Sequence, residues 1–217
     1  MLTSTGGDGE TAFRMAMMCH AQRDDFRVIV ADLAASAATL LALGAESIVM
    51  SDSSALGPVD PQVLMPRRGH YMAAKDIVAL VEDLEDRTKQ NPQAFELYAS
   101  LLADVDAVLY QFAKAAIRRT EELVPELLRL RQPPPSQETI EEIAQRLQGH
   151  ALHSATIGPH QAIELGLPVT YLASTAEEWD MLWRLHTDYV AVLGALPRTL
   201  VAIEGRRVSF HFDVNEP

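Results

Sequence analysis

The chain has 217 residues, 48% of them hydrophobic, with 18 lysines and arginines against 30 aspartates and glutamates, a formal net charge of -12. That apolar share supports a buried core and excludes wholesale disorder, while the acidic balance argues against a nucleic-acid surface or binding to an anionic membrane. The one cysteine, Cys19, rules out an intrachain disulfide and a cysteine-rich zinc site, and fits a reducing cytoplasm.

No run reaches the roughly 18 apolar residues of a membrane span. The longest candidate, Leu33 to Leu43, is too short and rich in small residues. The opening MLTSTGGDGE lacks a basic stretch before an apolar one, so no signal peptide is expected.

The first third alternates between strand and helix patterns. Leu2 to Ser4 reads as a strand end, Thr5 to Gly9 as a glycine-rich turn, and Glu10 to Gln22 as a helix. Phe26 to Ala31 is a β-branched strand, Ala35 to Leu43 a buried helix closed by Gly44, Ser47 to Met50 another strand, and Gly57 to Pro61 a turn. This order predicts crossover units and a mostly parallel sheet, an α/β fold. From about Tyr71 the pattern becomes helical, over Ala74 to Thr88 and Pro92 to Leu130. In the second run Leu97, Leu101, Val105, Val108, Leu109 and Phe112 share one helical face, and Pro125 should break or kink it. Pro133 to Pro135 stop it before Ser136, which caps the next helix. Beyond Gly149 come a short helix, Gln161 to Leu165, ended by Gly166; a strand, Pro168 to Leu172; a helix, Thr175 to Leu193, carrying Trp179 and Trp183; and a hairpin, Thr199 to Glu204 with Arg207 to Phe212, around Gly205-Arg206.

Two segments carry candidate chemistry. In Ala35-Ser36-Ala37-Ala38-Thr39 a serine stands among small residues at a helix N-terminus, where free backbone N–H groups favour negative charge. Ser36 there is either a nucleophile with a neighbouring oxyanion site or simply the N-cap of its helix. In Thr5-Gly6-Gly7-Asp8-Gly9 the absence of Cβ atoms lets a substrate carbonyl approach backbone amides; the alternative is a plain strand-to-helix turn. Those glycines match neither G-x-G-x-x-G nor a P-loop. His150, His153 and His160 have no cysteine nearby and no HExxH helix, so no metal is expected. The acidic run Glu82 to Asp86 reads as a solvated helix face, the two tryptophans as packing, and Cys19 as buried and inert.

These residues resemble the Clp-protease/crotonase superfamily, and most closely the serine dehydrogenase proteinase family, which is related to signal peptide peptidase A. That family runs a strand into T-P-G-G, then shows V-I-V-P, S-A-G-T-L-I-A-L, A-D-E-I-V-M and L-G-P-x-D-P-Q. This chain has Ser4-Thr5-Gly6-Gly7, Val28-Ile29-Val30-Ala31, Ser36-Ala37-Ala38-Thr39-Leu40-Leu41-Ala42-Leu43, Ala45-Glu46-Ser47-Ile48-Val49-Met50 and Leu56-Gly57-Pro58-Val59-Asp60-Pro61-Gln62. Ile157 to Val169 resembles a later superfamily segment. Two departures stand beside the proposed site: Thr5 replaces the family's proline, and Ala38 its glycine.

The resemblance implies a repeated β-β-α spiral forming a single domain over 1–217, with 71–148 as an added helical arm and a shortened N-terminal unit. It puts Ser36 at the nucleophile position and the N–H groups of Gly6 or Gly7 and of Ala37 at the oxyanion hole. The Clp proteolytic subunit uses a histidine downstream of its serine, where this chain has Asp60-Pro61-Gln62. Related proteases use a serine–lysine dyad, with the lysine at a helix start; Lys75 stands at that separation from Ser36 among apolar neighbours. His70, oriented by Asp60 or Asp76, is the alternative base.

The implied reaction is peptide-bond hydrolysis through a Ser36 acyl-enzyme, without metal or organic cofactor, by a cytoplasmic homo-oligomer acting on peptide or protein substrates. The alternatives are a catalytically inactive scaffold or peptide-binding protein and a crotonase-like acyl-CoA enzyme. Amino-acid dehydrogenation, the literal family name, has no nicotinamide or pyridoxal fingerprint behind it.

Overall fold

The computed structural model describes residues 1–23, 25–65, 69–148 and 156–195, with the backbone of 199–204 and 209–213. The alternating N-terminal third builds a parallel sheet. Strand β1 (Leu2–Ser4) leads through helix α1 (Gly9–Gln22) to β2 (Arg27–Ala34), then α2 (Ala37–Leu43) and β3 (Ser47–Met50). The short β4 (Ala55–Leu56) and the later β7 (Val169–Tyr171) complete it. The spatial order is β1-β2-β3-β7, and β4 continues beside the end of β2 through Leu33–Ala55 and Ala34–Leu56. All of these pairings are parallel, as βαβ crossovers require.

The next hairpin is not among the elements expected from sequence. Strands β5 (Gln62–Met65) and β6 (His70–Ala73) pair antiparallel, with Val63 opposite Met72 and Met65 opposite His70. Val63 and Met65 are buried while Gln62 and Leu64 are exposed, a period-2 pattern too short to stand out. Helix α3 (Ala74–Gln90) starts where β6 ends.

The long run expected from Pro92 to Leu130 is three elements. A 3₁₀ turn at Pro92–Ala94, α4 (Phe95–Leu101) and α5 (Ala107–Leu128) are separated around Asp106, whose side chain accepts the Leu109 N–H at 2.8 Å and starts α5. The break scatters the expected apolar face: Leu97, Leu101, Val108 and Phe112 are all exposed, while Val105 and Leu109 pack inward. Pro125 neither stops nor splits α5, which runs through it to Leu128. Burial of Leu123, Val124, Leu127 and Leu128 around the proline outweighs one missing N–H. Ser136 caps α6 (Gln137–Gln148) as expected, accepting the Thr139 N–H at 3.1 Å.

Helix α7 (Pro159–Glu164) ends at Gly166, whose φ of 77° is left-handed, and turns into β7. Helix α8 (Glu177–Ala195) buries Trp179 and His186, and leaves Trp183 partly exposed. Strands β8 (Thr199–Glu204) and β9 (Ser209–Asp213) form the expected hairpin; its turn, like His150 and His153, lies outside the described residues. Cys19 is half-buried, and burial pushes its thiol pKa up. Among the described residues no helix is long and apolar enough to cross a membrane, and no group of acidic, histidine or cysteine side chains is placed to hold a metal ion.

Two apolar clusters result. The larger joins Val28, Val30, Ile48 and Met50 of the sheet to α1, α2, the C-terminal part of α5, α6 and α7. The smaller joins Val63 and Met65 of the hairpin to Ala74, Ile77 and Ala113. Helix α5 contributes to both clusters.

Candidate active site

The junction of β2 and α2 is the most constrained backbone described. Ser36 has φ 52° and ψ −118°, the one positive φ outside glycine among the described residues. An L-residue holds such a conformation only when its surroundings impose it. The bonds that impose it are specific. The Ala35 N–H donates to the Ser4 carbonyl at 3.0 Å, the Ser36 N–H to the Pro58 carbonyl at 3.2 Å, and the Gly57 N–H to the Ala34 carbonyl at 2.8 Å. Below the turn, the fully buried Thr39 hydroxyl lies 2.7 Å from the Ala34 carbonyl and 2.9 Å from that of Gly57.

Two glycines make room for this corner. A Cβ on Gly57 would stand 2.6 Å from the Ala35 Cβ, and one on Gly6 2.9 Å from the Ser36 Cβ. Gly6 also has φ 129°, in the left-handed region. The serine therefore sits at the N-cap position of α2 but makes no side-chain cap bond.

Of the three proposed oxyanion donors, Gly6 is engaged locally: its N–H donates to Ser4 Oγ at 3.1 Å, and that hydroxyl lies 3.2 Å from the Gly6 carbonyl. The N–H groups of Gly7 and Ala37 take no protein acceptor among the described residues. Ala37 opens α2, where an uncommitted amide is intrinsic to the helix end.

Gly6, Gly7, Ser36 and Ala37 all border one cleft of about 560 Å³. Asp60, Pro61 and Tyr71 form one side of it, and a stripe of α5 another. Asp60 is 4% exposed, and its Oδ2 lies 3.8 Å from Lys75 Nζ. Lys75, 29% exposed, stands on the first turn of α3. One segment ties both halves together: Pro58 accepts the Ser36 N–H, and Pro61 accepts the Ala74 N–H at 2.8 Å. His70 is exposed at the outer end of β6, opposite Met65; neither it nor Lys75 is among the residues that border the cleft, though Asp60, the partner of Lys75, is.

At the mouth, Asp8 caps α1 by accepting from the Thr11 hydroxyl at 2.7 Å and the Thr11 N–H at 2.8 Å, which holds its carboxyl below the usual range. Glu10 is held low in the same way by a two-pronged pair with Arg119, whose other nitrogen reaches Glu122 at 3.1 Å.

Sequence reasoning did not single out Thr39, Gly57 or the α5 stripe. The Leu56 to Gln62 string was the available signal for Gly57. Asp60 was visible as a possible partner for His70, but the structure pairs it with Lys75.

The fold and the corner define a structural class, parallel α/β proteins with a serine on a strained strand-to-helix turn beside uncommitted amides. The family comparison names that class more closely. Residues 1–188 match the ClpP-like SDH-type serine proteinase family, and the chain belongs to it. Two curated relatives come from Methanocaldococcus jannaschii. The uncharacterized protein MJ0137 is 30% identical over 90% of this chain and 60% of its own length. The uncharacterized protein MJ1495 is 27% identical over 78% of this chain and 50% of its own. The chain thus spans less than two thirds of the curated relatives it matches. No solved structure gives a significant match.

Proposed function

We propose that the chain is a serine peptidase in which Ser36 is the nucleophile and Lys75 the general base. The observation that carries this reading is the Ser36 corner: a left-handed φ of 52°, uncapped, on the wall of a cleft. Ser36 Oγ attacks the substrate carbonyl as Lys75 Nζ takes its proton, and the amides of Gly7 and Ala37 receive the oxyanion. Lys75 returns the proton to the leaving amine, and water then releases the acyl group from Ser36. Gly6 lets the glycine turn close against the serine corner. Asp60, on the cleft wall, links the lysine to the cleft through its 3.8 Å pair with Lys75 Nζ.

The reading extends to the whole chain. Residues 71–148 are an insertion in one domain whose second half, the end of α5 and α6, packs into the sheet's apolar cluster, and the exposed Phe95, Leu97, Leu101 and Val108 of its first half support a contact between copies of the chain in a homo-oligomer.

The test is labelling by a fluorophosphonate probe, with mass spectrometry of the adduct. The expected adduct is on Ser36 and is lost in Ser36→Ala. Lys75→Ala should slow labelling by about a hundredfold or more, and His70→Ala should leave it unchanged. A folded wild type with no adduct would replace the peptidase by the inactive peptide-binding protein. Labelling that survives Lys75→Ala but fails in His70→Ala would move the base to His70.

A further inference from the structure

The glycine turn carries a second serine whose bonds the mechanism does not use. Ser4 is the last residue of β1 and lies in register with Ala34, the last residue of β2. Its carbonyl accepts the Ala35 N–H at 3.0 Å, so the backbone of Ser4 holds the strand end that leads into the Ser36 corner. Its hydroxyl binds the other half of the site. Ser4 Oγ accepts the Gly6 N–H at 3.1 Å and donates to the Gly6 carbonyl at 3.2 Å. One hydroxyl thereby grips both polar groups of Gly6.

That grip decides where the next amide points. The Gly6 carbonyl and the Gly7 N–H belong to one planar trans peptide and point in opposite directions. Fixing the carbonyl on Ser4 Oγ therefore turns the Gly7 N–H away from Ser4, and that N–H takes no protein acceptor among the described residues. Little else holds this peptide. Gly6 and Gly7 have φ of 129° and 157°, and two glycines in succession let a peptide plane rotate at little steric cost. A Cβ on Gly7 would meet nothing within 4 Å, so no packing on that side restrains it. The chain is next fixed at Asp8, which caps α1 through the Thr11 N–H at 2.8 Å. Gly6 stands against the nucleophile, since a Cβ there would lie 2.9 Å from the Ser36 Cβ and 3.4 Å from its Oγ. Rotation of the Gly6–Gly7 peptide would put a carbonyl oxygen where the amide now stands, and a carbonyl repels an oxyanion.

We propose that the Ser4 hydroxyl is the lock that keeps the Gly7 amide aimed into the cleft, which makes Ser4 a positioning residue for the oxyanion site. The proposal deepens the peptidase reading and rests on it for the use of that amide, but the lock on the turn does not require turnover. Ser4 acts through Gly6 and Gly7. With its carbonyl on the serine corner and its hydroxyl on the glycine turn, it ties the two halves of the site together.

The test compares the wild type, Ser4→Ala and Ser4→Thr in two measurements. The first is NMR relaxation of the Gly7 amide, read as its order parameter and its slow exchange. The second is the rate of fluorophosphonate labelling at Ser36 as a function of pH. Ser4→Ala should lower the Gly7 order parameter or switch on exchange. It should also slow labelling by about ten- to a hundredfold, short of the roughly 10²–10³-fold that complete loss of an oxyanion donor costs. The pH of half-maximal labelling should stay in place, because the base is untouched. Ser4→Thr keeps the hydroxyl and should restore most of both readouts.

A Gly7 amide as rigid in Ser4→Ala as in the wild type, or labelling of Ser4→Ala within about twofold of the wild type, would overturn the lock. So would a Ser4→Thr protein as impaired as Ser4→Ala, or a moved pH midpoint, which would assign the effect to the base. No adduct on the folded wild type, with Gly7 loosened in Ser4→Ala and held in Ser4→Thr, would leave the lock standing and remove the peptidase reading instead.

Discussion

At the scale of single residues, the Ser36 corner sets backbone strain against the bonds that hold it. A φ of 52° at a non-glycine residue costs on the order of 1–3 kcal/mol, a cost the surrounding bonds must offset. Glycine carries no such cost there, although it loses more backbone freedom on folding. Ser36→Gly should therefore raise the free energy of unfolding by about 1 kcal/mol, read from urea midpoints, while Ser36→Ala keeps the strain and gains nothing. A stability loss in Ser36→Gly would mean that the serine side chain holds the fold. The residue types at this corner were legible in the sequence because small residues flank the serine. The backbone angle was not, because it is fixed by carbonyls from Ser4 and Pro58, well separated along the chain.

Among elements, the β2–α2 corner is held from beneath by a buried hydroxyl. Thr39 is fully buried, and its single hydroxyl proton is shared between two carbonyls, those of Ala34 and Gly57, that meet there. Thr39→Val keeps the volume but removes the donor, so it should cost about 1–3 kcal/mol. The same variant should slow fluorophosphonate labelling of Ser36, since the Gly57 carbonyl loses its hold on α2. Unchanged stability in urea would mean that other groups satisfy both carbonyls. The strands and helices of the first third were readable from periodicity, because a parallel sheet with covered faces writes continuous apolar runs. The β5–β6 hairpin was not: Gln62 to Met65 and His70 to Ala73 are four residues each. The single long helix from Pro92 failed for the opposite reason. Its three-and-four spacing continues across Asp106, but capping by that aspartate restarts the helix there.

Across the whole molecule, the cleft lies between elements far apart in sequence. Glu10 opens α1 and Arg119 lies late in α5, yet their paired side chains join the two walls. The pair is partly exposed, so its contribution is small and screened by salt. Its sign is definite. Arg119 depresses the Glu10 carboxyl in the folded chain, so the stabilisation is complete above the unfolded carboxylate range and is lost as pH falls through the folded value. Glu10→Gln should lower the urea midpoint at pH 7 by a few tenths of a kcal/mol equivalent. Its stability should then fall less steeply than that of the wild type between about pH 5 and pH 3, with the difference shrinking in high salt. Parallel pH profiles for the two proteins would assign the acid sensitivity elsewhere.

The amino-acid sequence by itself determined the parallel α/β frame and marked Ser36 and the glycine turn. Both are written locally, in hydrophobic periodicity and in small residues where backbone must come close. Which groups surround the serine was decided only in three dimensions. The pairing of Asp60 with Lys75, the engagement of Gly6 by Ser4 and the α5 wall of the cleft depend on contacts between distant segments. Such contacts follow from burying two apolar clusters that share α5, and no local pattern of residues encodes them.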